Sequence, residues 1–184
     1  MTLPTALTLL RIALLPIVFV AFYIPADWAR PLCAIIFAVA GFTDWLDGYL
    51  ARRLGQSSAF GAFLDPVADK LMVAVSLLML VSADPELWLV LSASIIISRE
   101  IVISALREWM AEMGQRQLVA VSNIGKIKTV LQMLAIFMML YKETLFGIDF
   151  YLYGTYALVI AAALTLYSMC LYLRAAWRSG AVSE

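Results

Sequence analysis

A chain of 184 residues with 64% hydrophobic residues and a mean hydropathy of +0.93 is too apolar for a water-soluble domain, where about half the residues are apolar. Its 13 basic and 13 acidic residues cancel, which leaves no global basic footprint for nucleic acid. Histidine is absent, so His-based triads, His-ligated zinc and His general bases are excluded, and acid–base chemistry falls to carboxylate, Lys, Tyr, Cys or water.

The apolar runs predict six helical spans, at about 5–24, 31–53, 62–82, 86–113, 123–141 and 151–175, near the ~20 residues that a ~30 Å hydrocarbon core requires. In the first, Arg11 precedes an apolar run with the character of a signal peptide, yet no small-x-small cleavage site follows and the rest of the chain is still multi-spanning. Pro25 and Asp27 end it. Gly55, Gln56, Ser57 and Ser58 separate the second and third spans, and Asp84-Pro85 makes a tight connection before the fourth. A polar linker at 114–122 leads to the fifth span, with Ser122 or Asn123 available as its N-cap, and Gly147 and Asp149 precede the sixth. Cys33 and Cys170 lie inside apolar runs and read as small core residues. The tryptophans fall near span ends, as an aromatic belt would. The expected fold is all-α, an integral membrane bundle of six transmembrane helices forming a single domain over residues 1–184.

Basic residues orient the bundle. Six spans put both termini on one side, and that side collects Arg11, Arg52, Arg53, Arg107, Arg116, Lys126, Lys128, Arg174 and Arg178, against Arg30 and Lys142 opposite. The termini, the second-to-third loop and the fourth-to-fifth loop are therefore expected in the cytoplasm.

Four carboxylates stand where a bilayer makes charge expensive. Asp44 and Asp47, spaced i, i+3, share one face of the second span, and Asp65 and Asp69, spaced i, i+4, share one face of the third. The short linker makes the two helices antiparallel neighbours, so the four side chains are expected to converge. An ionised Asp at the bilayer centre costs roughly 2.5–3.5 kcal/mol, and mutual repulsion adds to that. Arg52, Arg53 and Lys70 are nearby, but one or two Mg²⁺ ions, hard and oxygen-seeking, would balance the cluster better and could clamp a diphosphate. Each aspartate alone has a plainer reading. Asp65 before Pro66 could be an N-cap with proline at the first helical position, and Asp44 a solvated helix-end residue.

Asp44, Asp47, Gly48, Ala51 and Arg52, followed by Gly61, Asp65 and Asp69, match the signature of the CDP-alcohol phosphatidyltransferase family at every defining position and spacing. The likeness continues through Thr43, the run from Gly61 to Lys70, Arg99-Glu100, Ser104 to Trp109, and Gly125 to Thr129, and so covers nearly the whole chain. It is strongest to the branch of the family whose acceptor is sn-glycerol 3-phosphate. The resemblance implies two Mg²⁺ ions, with Mn²⁺ able to substitute. Asp44, Asp47 and Asp65 would ligate the first, and Asp44, Asp65 and Asp69 the second, with Asp69 also the general base. Gly48, Arg52 and Ser58 match positions that contact the CDP part of CDP-diacylglycerol. It further implies a homodimer in the inner (cytoplasmic) membrane with its active site facing the cytoplasm.

A phosphate-bearing acceptor needs cations. Arg99 interrupts the apolar run 87–103, Arg107 follows two turns on, and Lys126 and Lys128 open the fifth span beside Gly125. These four are expected to line the acceptor pocket. Against this stand structural pairings of Arg99 with a carboxylate such as Asp69, or of Arg107 with Glu108 or Glu112. Other readings are a family member with a different acceptor, a prenyl-diphosphate transferase, which also uses Asp-rich helices, or a cation transporter, which would not explain the cationic cluster on spans four and five.

Overall fold

The computed structural model describes residues 3–54, 59–113 and 123–178, and within its helices the side chains of residues 3, 4, 45, 47–54, 59, 62, 123–126 and 175–178 fall outside the description. The linkers at 55–58 and 114–122, with Ser58 and Ser122, lie outside the described residues. Six helices follow one another: α1 (Leu3–Phe22), α2 (Ala29–Leu54), α3 (Ala59–Ala83), α4 (Leu87–Glu112), α5 (Asn123–Tyr141) and α6 (Phe150–Arg178).

Four of the described helices, α1, α3, α4 and α6, are long and apolar enough to cross a membrane. The apolar stretch of α5, Ile127–Tyr141, is shorter. That of α2 is cut short by Asp44, Asp47, Arg52 and Arg53. The outside of the bundle is as apolar as its inside: Val20, Ile101 and Val130 are 63%, 65% and 69% exposed. A surface of this kind is stable in lipid and a liability in water, and the chain is a membrane protein.

The apolar core draws on every helix, with Val18 and Phe22 of α1, Phe37 of α2, Leu77 and Leu80 of α3, Ile96 of α4, Ile136 and Met139 of α5, and Leu158 of α6. Charged and polar side chains gather at one end of it. Arg11 precedes the core residues of α1, Asp44 follows those of α2, Asp65 and Asp69 precede those of α3, Arg99 and Arg107 follow those of α4, and Lys128 precedes those of α5. Successive helices thus alternate in direction, and every second helix end contributes to one polar end.

α1 packs extensively against both α2 and α3, which touch each other only lightly among the described residues. The expected hairpin of two neighbouring helices is therefore bridged by a third. Thr5, Thr8 and Arg11, three residues apart on α1, are all buried, as residues on one face of a helix wedged between two others should be. α6 lies close against α5 at Gly154, where an added Cβ would stand 2.7 Å from the Met139 side chain and 3.0 Å from the Ala135 carbonyl oxygen. Close approach of this kind uses glycine because it presents no side chain.

Between α5 and α6 the chain makes a small hairpin that the sequence did not predict. β1 (Thr144–Leu145) and β2 (Ile148–Asp149) pair antiparallel across Phe146 and Gly147, both at positive φ, 53° and 79°. Two such residues form the tight turn that suits strand twist, and the Asp149 carboxylate then caps α6 by accepting the Leu152 N–H at 3.0 Å. The cysteine reading holds for Cys33, which is buried, and not for Cys170, which is exposed on α6. Trp28, Trp88 and Trp109 are exposed, whereas the side chains of Trp45 and Trp177 fall outside the description.

Candidate active site

The acidic residues of α2 and α3 meet through a residue of α1. Arg11, only 2% exposed, donates from Nη1 to Asp44 Oδ1 at 2.6 Å and stands 3.6 Å from Asp65 Oδ1. One guanidinium nitrogen beside both carboxylates fixes them within a few Å of each other. A buried arginine is tolerable only with such partners, and the sequence carried a sign of this: Arg11 is the sole charged residue of the apolar stretch Thr5–Phe22. An ionisable residue inside a span faces the bundle interior and marks a functional path. Arg11, expected from the sequence only to help orient the bundle, belongs to the site.

Asp69, one turn beyond Asp65 on α3, lies within electrostatic range of Asp44, Asp65, Arg11 and Glu100. Three of the four expected carboxylates therefore share one neighbourhood. The side chain of the fourth, Asp47, lies outside the described residues, as do those of Arg52 and Lys126 and the whole of Ser58, and of Gly48 only its place in α2 is described. The capping reading of Asp65 fails, because α3 begins at Ala59 and Pro66 lies inside the helix. A proline there removes an interior hydrogen bond, and Asp65 stands in the second turn of α3 with Oδ1 3.6 Å from Arg11 Nη1.

Among the described residues no three carboxylates are drawn close enough to grip an ion as they stand. The donor chemistry nevertheless fits a hard cation. Asp65 Oδ1 is buried and, beyond its 3.6 Å ion pair with Arg11, accepts no hydrogen bond among the described residues, which leaves it lone pairs to offer a cation. Oxygen donors from carboxylates on two helices are what Mg²⁺ selects.

Asp69 also opens onto a cavity of about 400 Å³ lined by α3, α4, α5 and α6. Arg99, Arg107 and Lys128 line it together with Lys70 and Glu100. Three of the four basic residues expected at an acceptor pocket are thus brought together, opposite the expected base. Arg99 is 6% and Lys128 2% exposed. Arg99 does pair with a carboxylate, but the partner is Glu100 rather than Asp69. Arg99 donates to Glu100 Oε1 at 2.8 Å, and Lys128 Nζ reaches the same oxygen at 3.5 Å. Arg107 lies over the Tyr172 ring at 5.9 Å, at the outer limit of a cation–π contact, and its Nε is buried with no hydrogen-bond partner among the described residues. Glu100 is the second residue of the site, after Arg11, that is not among those expected there from the sequence.

The CDP-alcohol phosphatidyltransferase family model matches residues 1–168. Curated relatives named CDP-diacylglycerol–glycerol-3-phosphate 3-phosphatidyltransferase match over nearly their full length. The one from Pectobacterium atrosepticum is 55% identical over 175 residues, covering 94% of this chain and 93% of its own. That from Pseudomonas fluorescens is 53% identical over 178 residues, 96% of this chain and 91% of its own. That from Sodalis glossinidius is 51% identical over 178 residues, 96% and 95% respectively. With the motif of α2 and α3, the polar end of the bundle and the extent of these matches in agreement, the chain belongs to the CDP-alcohol phosphatidyltransferase family.

Proposed function

We infer that the chain transfers the phosphatidyl group of CDP-diacylglycerol to sn-glycerol 3-phosphate, giving phosphatidylglycerophosphate and CMP. Relatives carrying that activity in their names support the reaction. The observation that carries the acceptor is the shared cavity, in which Asp69 faces Arg99, Arg107 and Lys128. Glu100 neutralises only part of the charge on these cations; a net-neutral acceptor such as serine would leave the remaining positive charge of the cavity unmatched, whereas a phosphate monoester, at about −1.5 to −2 charges near pH 7, would match it.

In this reading Asp69 accepts the proton of the C1 hydroxyl of glycerol 3-phosphate. The oxygen attacks the β-phosphorus of CDP-diacylglycerol, the bond from that phosphorus to the CMP oxygen breaks, and CMP leaves with the electron pair. Arg99, Arg107, Lys126 and Lys128 hold the acceptor's phosphate, and Gly48, Arg52 and Ser58 hold the CDP part. Asp44, Asp47, Asp65 and Asp69 would hold two Mg²⁺ ions, which when bound neutralise the diphosphate and stabilise the attacking and leaving oxygens. Arg11 keeps Asp44 and Asp65 directed inward. Positioning and charge neutralisation supply most of the barrier reduction.

The same reading makes the chain one six-span domain of the inner membrane, homodimeric, with both termini and the active site on the cytoplasmic side. The alternating helix directions and the gathering of basic residues at the polar end support that orientation. The test is CMP release from CDP-diacylglycerol by purified protein with glycerol 3-phosphate, serine, inositol phosphate or phosphatidylglycerol in turn. Release is expected with glycerol 3-phosphate, and preferential release with any of the others would overturn the acceptor assignment.

A further inference from the structure

One carboxylate in the acceptor cavity has no part in the reaction as written. Glu100 Oε1 lies 2.8 Å from Arg99 Nη1 on α4 and 3.5 Å from Lys128 Nζ on α5, so a single oxygen of α4 ties the two helices together. Both cations are at least nine-tenths buried. Lys70, Arg99, Arg107 and Lys128 line the cavity against Asp69 and Glu100, an excess of two positive charges. A phosphate dianion matches that excess, but its oxygens seek the nitrogens that Glu100 already contacts.

We propose that Glu100 is a positioning and specificity-determining residue that competes with the acceptor's phosphate for Arg99 and Lys128. It keeps two buried cations neutralised and apart from Asp69, leaving the base available. Only an anion strong enough to displace a carboxylate then occupies the pocket, which favours a phosphate over a carboxylate-bearing or neutral acceptor. The inference rests on the acceptor reading above and adds a residue to it.

The test is Glu100→Gln, which keeps the shape and removes the charge. The KM for glycerol 3-phosphate is expected to fall about tenfold, with kcat not raised and the KM for CDP-diacylglycerol unchanged. A KM that stays level or rises would overturn the inference and leave Glu100 as a purely structural partner. Should the variant be too unstable for kinetics, its Tm in detergent is followed with inorganic phosphate. Phosphate should raise that Tm at lower concentration than it raises the wild type's, and equal or absent responses would overturn the inference equally. The two readings fail separately. A wild type that releases no CMP with glycerol 3-phosphate refutes the acceptor, while the phosphate titration still judges Glu100. An active wild type with an unresponsive Glu100→Gln refutes only the role of Glu100.

Discussion

Replacing Asp44 by Asn separates two views of the acidic cluster. If mutual repulsion dominates the metal-free protein, removing one of several carboxylates should stabilise it. The structure argues the opposite, because Arg11 is 2% exposed and pairs with Asp44 at 2.6 Å. Removing one partner of a fully buried pair costs about 3–5 kcal/mol, since the remaining charge is stranded. The Asp44 side chain is 39% exposed and Asp65 remains 3.6 Å from the same nitrogen, which reduces the loss to about 2 kcal/mol. For a domain of this size that is a fall of roughly 4–8 °C in Tm. The assay is thermal unfolding of purified Asp44→Asn in detergent with excess chelator, beside wild type and Arg11→Met. Arg11→Met should lose less, because its two carboxylates can draw on solvent. A Tm for Asp44→Asn equal to or above that of wild type would refute the reasoning.

Asp69→Asn should lower kcat by about 10²–10⁴-fold, the usual contribution of a general base, as read by CMP release with both substrates saturating. Arg99→Gln and Lys128→Gln should each raise the KM for glycerol 3-phosphate by about ten- to a hundredfold, the worth of a charged hydrogen bond, with little change in the KM for CDP-diacylglycerol. Gly154→Ala should cost about 1–3 kcal/mol in unfolding measurements, because its Cβ would press on the Ala135 carbonyl. Gly41→Ala should cost less, because its new Cβ meets the flexible end of Met133 at 3.1 Å.

The helices were legible because their cause is local. Apolar runs of bilayer length bounded by Pro25, Gly55 and Asp84-Pro85 leave little choice of element, and the helix ends fall within about three residues of those read from the chain. The aspartates stood out because helical spacing puts each pair on one face, and Arg99 because it interrupts an apolar run. Arg11 and Glu100 were missed because their roles exist only in three dimensions. Nothing in the neighbourhood of Arg11 says that α1 wedges between α2 and α3. Adjacent residues on a helix do not face each other, so Arg99 and Glu100 read as unrelated, and only Lys128 arriving from α5 draws their side chains to a common point. The hairpin at 144–149 escaped because Phe146-Gly147 lacks the Asn or Asp that marks such turns.

The central claim is that carboxylates of α2 and α3, organised around divalent ions, drive transfer to a phosphate-bearing acceptor. The most direct measurement is release of labelled CMP from CDP-diacylglycerol and glycerol 3-phosphate as free Mg²⁺ is removed by chelator and then restored. Release should cease at full chelation and return with Mg²⁺ in wild type, while Asp47→Ala stays inactive throughout. Undiminished release under full chelation, or full activity of Asp47→Ala, would contradict it.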